Sequence, residues 1–206
     1  MNANPGHSPQ GPSTGTPPPS FPPGLGAALT GLARHAIGHK LGLPGRQPEF
    51  DPAVAAVMTA PGAAFVTLTL GGDLRGCIGS LLAHRPLVED VASNAVAAAF
   101  RDPRFPALSP AEYEPLHIEV SVLSQPAPLA FTSQADALAK LRPGVDGVIF
   151  EAGWARSTFL PQVWEELPQP EVFMAHLKRK AGLPANYWGP DVELSLYTVT
   201  AFHEDR

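Results

Sequence analysis

Residues 63–70 read Ala-Ala-Phe-Val-Thr-Leu-Thr-Leu, residues 71–73 Gly-Gly-Asp, and residues 74–81 Leu-Arg-Gly-Cys-Ile-Gly-Ser-Leu. Two runs of β-branched, aromatic and aliphatic residues around a Gly-Gly turn predict an antiparallel hairpin over 63–81. Strand periodicity puts Arg75 and Cys77 on one face of its second arm and Leu74, Gly76 and Ile78 on the other. Gly76 and Gly79 lack side chains, so a ligand or another backbone can come close to that arm, or the arm can bulge.

Helices follow on both sides of the hairpin. Leu25, Leu29, Leu32, Ala33, Ala36, Ile37 and Leu41 recur at helical spacing before the stop supplied by Gly42 and Pro44. Leu87, Val88, Val91, Ala92, Ala95, Val96 and Ala99 form a broad apolar stripe that ends before Pro103. Residues 116–123 alternate Ile118, Val120 and Val122 with Glu119 and Ser121, as a half-buried strand does. A short helix is expected over 134–141, strands over 145–151 and 156–160, and a helix over 170–180 that starts at a proline and ends before Gly182. A single last strand is expected over 192–202. Strands mixed with helices, without strict βαβ alternation, predict an α+β domain with a mainly antiparallel sheet flanked by helices.

No Asp, Glu, Lys or Arg precedes Arg34, and proline recurs through residues 1–23. That stretch has no apolar period and few backbone donors, so 1–23 is expected to be a disordered tail and 24–206 the folded domain. No stretch resembles a secretory signal or a membrane span, and a cytoplasmic, non-membrane protein is expected. The 14 basic and 19 acidic residues give a formal charge of −5, which argues against a nucleic-acid partner. With one cysteine, Cys77, the chain has no internal disulfide, cysteine-cluster zinc site or iron–sulfur cluster of its own, and no cofactor is expected. His35 and His39 stand one helical turn apart without an identifiable third ligand, so no metal is assigned.

Cys77 is the candidate catalytic residue. A guanidinium beside a thiol favours the thiolate, the nucleophilic form, so Arg75 on the same face is its expected activator. His84 lies seven residues on and is the nearest base in sequence, although a loop histidine commonly faces solvent. Gly76 and Gly79 are candidate points of ligand approach. Asp102 and Arg104 are held by Pro103 and Pro106 in a stiff turn suited to gripping an anionic small molecule, or to pairing with each other. Ser121 shares a strand face with Glu119 and is a candidate for lining a cleft. Lys178, Arg179 and Lys180 are read as complementing the negative end of their helix. The counter-reading of the thiol is a small buried hydrophobe.

Leu-Arg-Gly-Cys-Ile-Gly-Ser at 74–80, Asp-Pro-Arg-Phe-Pro at 102–106, Ile-Glu-Val-Ser-Val-Leu at 118–123, Pro-Gly-Val-Asp-Gly-Val-Ile at 143–149, Thr-Phe-Leu-Pro-Gln-Val-Trp at 158–164 and Leu-Lys-Arg-Lys-Ala-Gly-Leu at 177–183 occur in this order. The ordered set resembles the AMMECR domain family, protein A of the AmmeMemoRadiSam system, from about Leu25 to Phe202. The resemblance implies an α+β fold with a smaller attached lobe. It also implies a pathway shared with a MEMO-like protein and a radical S-adenosylmethionine (radical SAM) protein. The family's signature falls on Arg75, Gly76, Cys77 and Gly79, and its acidic-aromatic motif on Asp102, Arg104 and Phe105. Two functions remain open: a cleft enzyme in which the Cys77 thiolate acts on an anionic small molecule, and a non-catalytic binding or scaffold module for those partners.

Overall fold

A computed structural model describes residues 21–46 and 48–205 of the chain. Its elements are, in order, α1 (Leu25–Lys40), α2 (Pro52–Thr59), β1 (Ala63–Leu70), β2 (Asp73–Gly79), α3 (Leu87–Phe100), α4 (Pro110–Tyr113) and β3 (Leu116–Leu123). They continue with β4 (Ala127–Pro128), α5 (Gln134–Lys140), β5 (Gly147–Ala152), β6 (Ala155–Phe159), a 3-10 turn (Pro161–Glu165), α6 (Pro170–Lys180), β7 (Val192–Tyr197) and β8 (Val199–His203).

The hairpin of β1 and β2 forms as its sequence dictates. Gly71 and Gly72 carry φ of +59° and +92°, a left-handed turn that L side chains enter at a cost. β3 pairs with the other edge of β1 and β8 with β3, giving an antiparallel sheet ordered β2-β1-β3-β8. α1 and α3 cover one of its faces. Leu29, Ile37, Val66, Leu68, Val91, Ala95, Ile118 and Val120 are fully buried between the layers.

A second antiparallel sheet, ordered β4-β7-β5-β6, packs against α5 and α6 over its own core. In that core the Trp164 ring stacks on Phe173 at 3.7 Å and its Nε1–H donates to the Asp146 carbonyl. The α+β fold with an attached second lobe is therefore what the chain adopts.

The last strand is two strands. β7 belongs to the second sheet and β8 to the first, and the chain changes sheet at Thr198. β3 and β4 make the same change beside it. At the crossing, the Ser124 N–H donates to the Thr198 carbonyl and the Thr198 N–H to Ser124 Oγ, so the ribbon keeps its pairing while it bends. Apolar alternation runs through such a corner without interruption, which is why the sequence reads as one strand. Ala63 and Leu123 of the first lobe pack on Ile149 and Tyr197 of the second. Burial pushes the Tyr197 hydroxyl up to about 12.

Most of the expected tail lies outside the described residues, but Phe21, assigned to it, packs edge-on against Phe202 at 5.5 Å. The basic end of α6 also departs from expectation. Lys178 is buried rather than solvated at the helix end, its Nζ donating to the Tyr187 carbonyl at 3.0 Å beside the Trp188 ring, and burial lowers its pKa. Among the described residues no helix is long and apolar enough to cross a membrane.

Candidate functional site

β2 pairs Cys77 with Thr67, Gly76 with Leu68 and Leu74 with Thr69. Arg75 is left over: it is the extra residue of a β-bulge, and a bulge breaks the period-two count. The expectation that Arg75 and Cys77 share a face is corrected on this ground. The Arg75 guanidinium turns instead to the segment after α3, where Nε donates to Glu112 Oε1 at 2.7 Å and Nη2 to the Pro106 carbonyl at 2.9 Å. Its Nη1 is buried without a partner among the described residues. The Arg75 side chain, with further donors from Ser109, pulls the Glu112 carboxyl down to about 2.

The two glycines serve packing rather than open approach. A Cβ on Gly76 would stand 2.2 Å from the Ala98 carbonyl oxygen, so α3 lies directly on β2 there. A Cβ on Gly79 would stand 2.2 Å from the Phe65 ring, which lies across that position. The space reserved for a ligand beside both residues holds the protein's own atoms.

Asp102 and Arg104 do meet Cys77, through its backbone. β2 is an edge strand, and the outward N–H of Cys77 donates to Asp102 Oδ2 at 2.9 Å while Arg104 Nη2 lies 3.4 Å from the Cys77 carbonyl. Arg104 also donates to Asp102 from Nε and Nη2. The Asp-Pro-Arg turn thus closes one residue of an open sheet edge, as a neighbouring strand would. Bonding to Arg104, aided by the Cys77 N–H, holds the Asp102 carboxyl well below the usual carboxylate range although burial opposes it.

These carboxylates predict the acid limb of stability. A carboxyl whose folded pKa is depressed stabilises fully above its unfolded value and loses that contribution as pH falls through the folded one. For Glu112 the window runs from 4.5 down to about 2. Stability measured by urea melts is expected to fall across it, and Arg75→Gln to flatten the fall by removing the main cause of the depression.

On the sheet face away from α1 and α3, Phe65, Thr67, Cys77 and Ser121 form one wall of a cleft whose other wall is Leu160 and Gln162 of the second lobe. Its volume is about 40 Å³, space for roughly three waters. The Cys77 thiol is half-buried in it, and the Thr67 hydroxyl donates to Sγ at 3.4 Å. Ser121 is buried and donates to Glu119 Oε1 at 2.9 Å, and Glu119 Oε2 faces His203 at 3.5 Å on the next strand.

Of the sequence candidates, Cys77 and Ser121 share the cleft, Asp102 and Arg104 hold the Cys77 backbone at the sheet edge, and Arg75 turns away. His84 bonds the carbonyl of Leu82 on its own loop. Among the described residues no group of three His, Cys, Asp or Glu is placed to hold a metal. Phe65, Thr67, Leu160, Gln162 and Val199 are the lining residues that the sequence reading missed. The period-two count places Phe65 and Thr67 on one face, whereas nothing in the sequence brings the second lobe against that face.

The AMMECR1 family model matches residues 30–202, which include every wall of this cleft. The chain belongs to the AMMECR1 family. A Methanothermobacter thermautotrophicus protein is 43% identical over 143 residues, covering 68% of this chain and 74% of its own length. A Methanopyrus kandleri protein is 38% identical over 190 residues, 88% of this chain and 89% of its own. The crystal structure of an uncharacterised protein from Pyrococcus horikoshii superposes with a TM-score of 0.73 at 33% identity, covering 90% of this chain and 94% of that one. This AMMECR1-family chain therefore shares its two-lobed fold with a solved relative along nearly its whole length.

Proposed function

We propose that this AMMECR1-family chain is a recognition module for a MEMO-like protein and a radical SAM protein, and that the interlobe cleft at Cys77 receives a side chain from one of them. The observation that carries this reading is the pairing of the cations. Arg75 is engaged by Glu112 and Arg104 by Asp102, so both guanidiniums expected to serve the thiol or an anionic substrate are already neutralised within the fold. A cleft of about 40 Å³ suits one inserted side chain better than a metabolite. The thiol, with hydroxyls of Thr67 and Ser121 near it, makes a small, mildly polar floor.

The alternative, a thiol enzyme acting on an anionic small molecule, draws its support from the half-exposed Cys77 and its Thr67 donor. The two differ in what a conservative change does. Size-exclusion co-elution with the two purified partner proteins is expected to survive Cys77→Ser, which keeps the floor's size. Gln162→Trp, which fills the cleft from the opposite wall, is expected to weaken it at least about tenfold, as loss of a buried anchor does. Co-elution unaffected by Gln162→Trp, or absent from the unmodified chain, would remove the recognition reading. Turnover abolished by Cys77→Ser would install the enzyme in its place.

A further inference from the structure

We propose that the tip of the β5–β6 hairpin, remote from the thiol cleft, is a docking face for an arginine-bearing segment of a partner protein. Trp154 shares the two-residue turn with Gly153 and is 87% exposed, nearly twice the value of Leu82 and Val145, at 45% the next large apolar side chains among the described residues. No packing against the second lobe's core accounts for an indole there.

Its surroundings carry three carboxylates, of which Glu193 has no ion pair among the described residues. Val148, Phe150 and Ala152 of β5 and Val192 and Leu194 of β7 face the helix-covered core, so Glu151 and Glu193 project from the opposite face, beyond Ile149 and Tyr197, which pack on the first lobe. They stand directly opposite each other across β5 and β7. Like charges at such a pair repel and weaken a sheet. Asp191 adds a third carboxylate: its Oδ1 accepts from the Tyr187 hydroxyl at 2.7 Å, while its Oδ2 lies 3.6 Å from where a Cβ on Gly153 would be. The answering cation is Arg156, whose Nε lies 3.2 Å from Glu151.

Two of the three cations in the last turn of α6 are engaged elsewhere. Lys178 donates to the Tyr187 carbonyl and Lys180 to the Thr158 carbonyl. A guanidinium brought from outside would rest its flat face on the indole and direct its N–H groups to the carboxylates, relieving the repulsion and covering the ring in one contact. Charge complementarity thus selects a basic segment rather than an acidic or apolar one.

Titration calorimetry tests this with a capped peptide of alternating Arg and Gly and its Glu–Gly counterpart. The Arg peptide is expected to bind saturably at low salt and to weaken strongly at about 0.5 M salt, because the charges are exposed. Trp154→Ala and Glu193→Lys are each expected to weaken it about tenfold or more while leaving the melting temperature near that of the unmodified chain. The proposal is overturned by any of four results: no saturation at millimolar peptide, equal binding of the Glu peptide, binding unchanged by Trp154→Ala, or self-association of the chain that Trp154→Ala abolishes. The last would assign the face to a second copy of this chain.

Discussion

Gly76→Val is expected to cost at least about 3 kcal/mol and to lower the melting temperature by roughly 6–12 °C, the largest loss from any single glycine of β2. The Cβ of any side chain at 76 would sit 2.2 Å from the Ala98 carbonyl oxygen and 3.0 Å from the carbonyl carbon. Those atoms are helix backbone and cannot rotate away. α3 would have to lift off β2, and with it Val91, Ala95 and Ala98, all of them buried. Overpacking commonly costs about 1–3 kcal/mol when neighbouring side chains can adjust, so a backbone clash belongs at or above the top of that range. Gly71→Ser is the control: φ is +59° but no atom lies within 4 Å, so the cost is the left-handed conformation alone, about 1–2 kcal/mol. Urea melts followed by circular dichroism decide between them. Equal losses at 76 and 71 would mean that α3 does not rest on β2 as closely as described.

The contrast between these two glycines also shows where sequence reading ends. Gly71 announces its role locally, because a Gly-Gly pair between two strand patterns is a turn whatever surrounds it. Gly76 leaves three outcomes open, namely ligand approach, backbone approach or a bulge, and only the partner across the sheet selects among them. Here the register makes Arg75 the bulged residue and the helix above takes the space. That one step removes the activating arginine from the thiol's face, and no pattern within residues 74–80 could have foretold it. Elements with a strong internal period, such as α1, α3, β3 and α6, were legible to within about a residue or two at each end. α2 was not, although Asp51 caps the Ala53 and Val54 N–H groups before it, because eight residues are too few for a stripe to stand out. The cleft was half legible. Its sheet wall follows from period two, whereas Leu160 and Gln162 arrive from a second lobe whose position depends on the strand switch at Thr198.

Asp90→Ala is expected to cost about 3–5 kcal/mol, the loss typical of removing one partner from a buried charged network. Asp90 is fully buried in the first turn of α3, where a carboxylate also meets the positive end of the helix. Oδ2 accepts from the Ala64 N–H at 2.9 Å and from Asn94 Nδ2 at 3.0 Å, and Oδ1 from Ser80 Oγ at 2.6 Å and Arg85 Nε at 2.8 Å. One carboxylate thereby fastens α3 to the start of β1 and the exit of β2, the two strands that carry Phe65 and Cys77 to the cleft. Its loss strands a buried backbone N–H and an arginine together. Asp90→Asn keeps the shape but turns an NH2 group toward two existing donors, so it is expected to recover little of the loss. Arg85 is a weaker member: its side chain is 28% exposed, and without it the carboxylate keeps its bonds from Ala64, Asn94 and Ser80, so Arg85→Ala is expected to cost about 1 kcal/mol. In the double variant the two losses should add to less than their sum, because the arginine stranded by Asp90→Ala is no longer there. Strict additivity in urea melts, or an Asp90→Ala loss no larger than that of Arg85→Ala, would mean that the carboxylate does not hold these segments together.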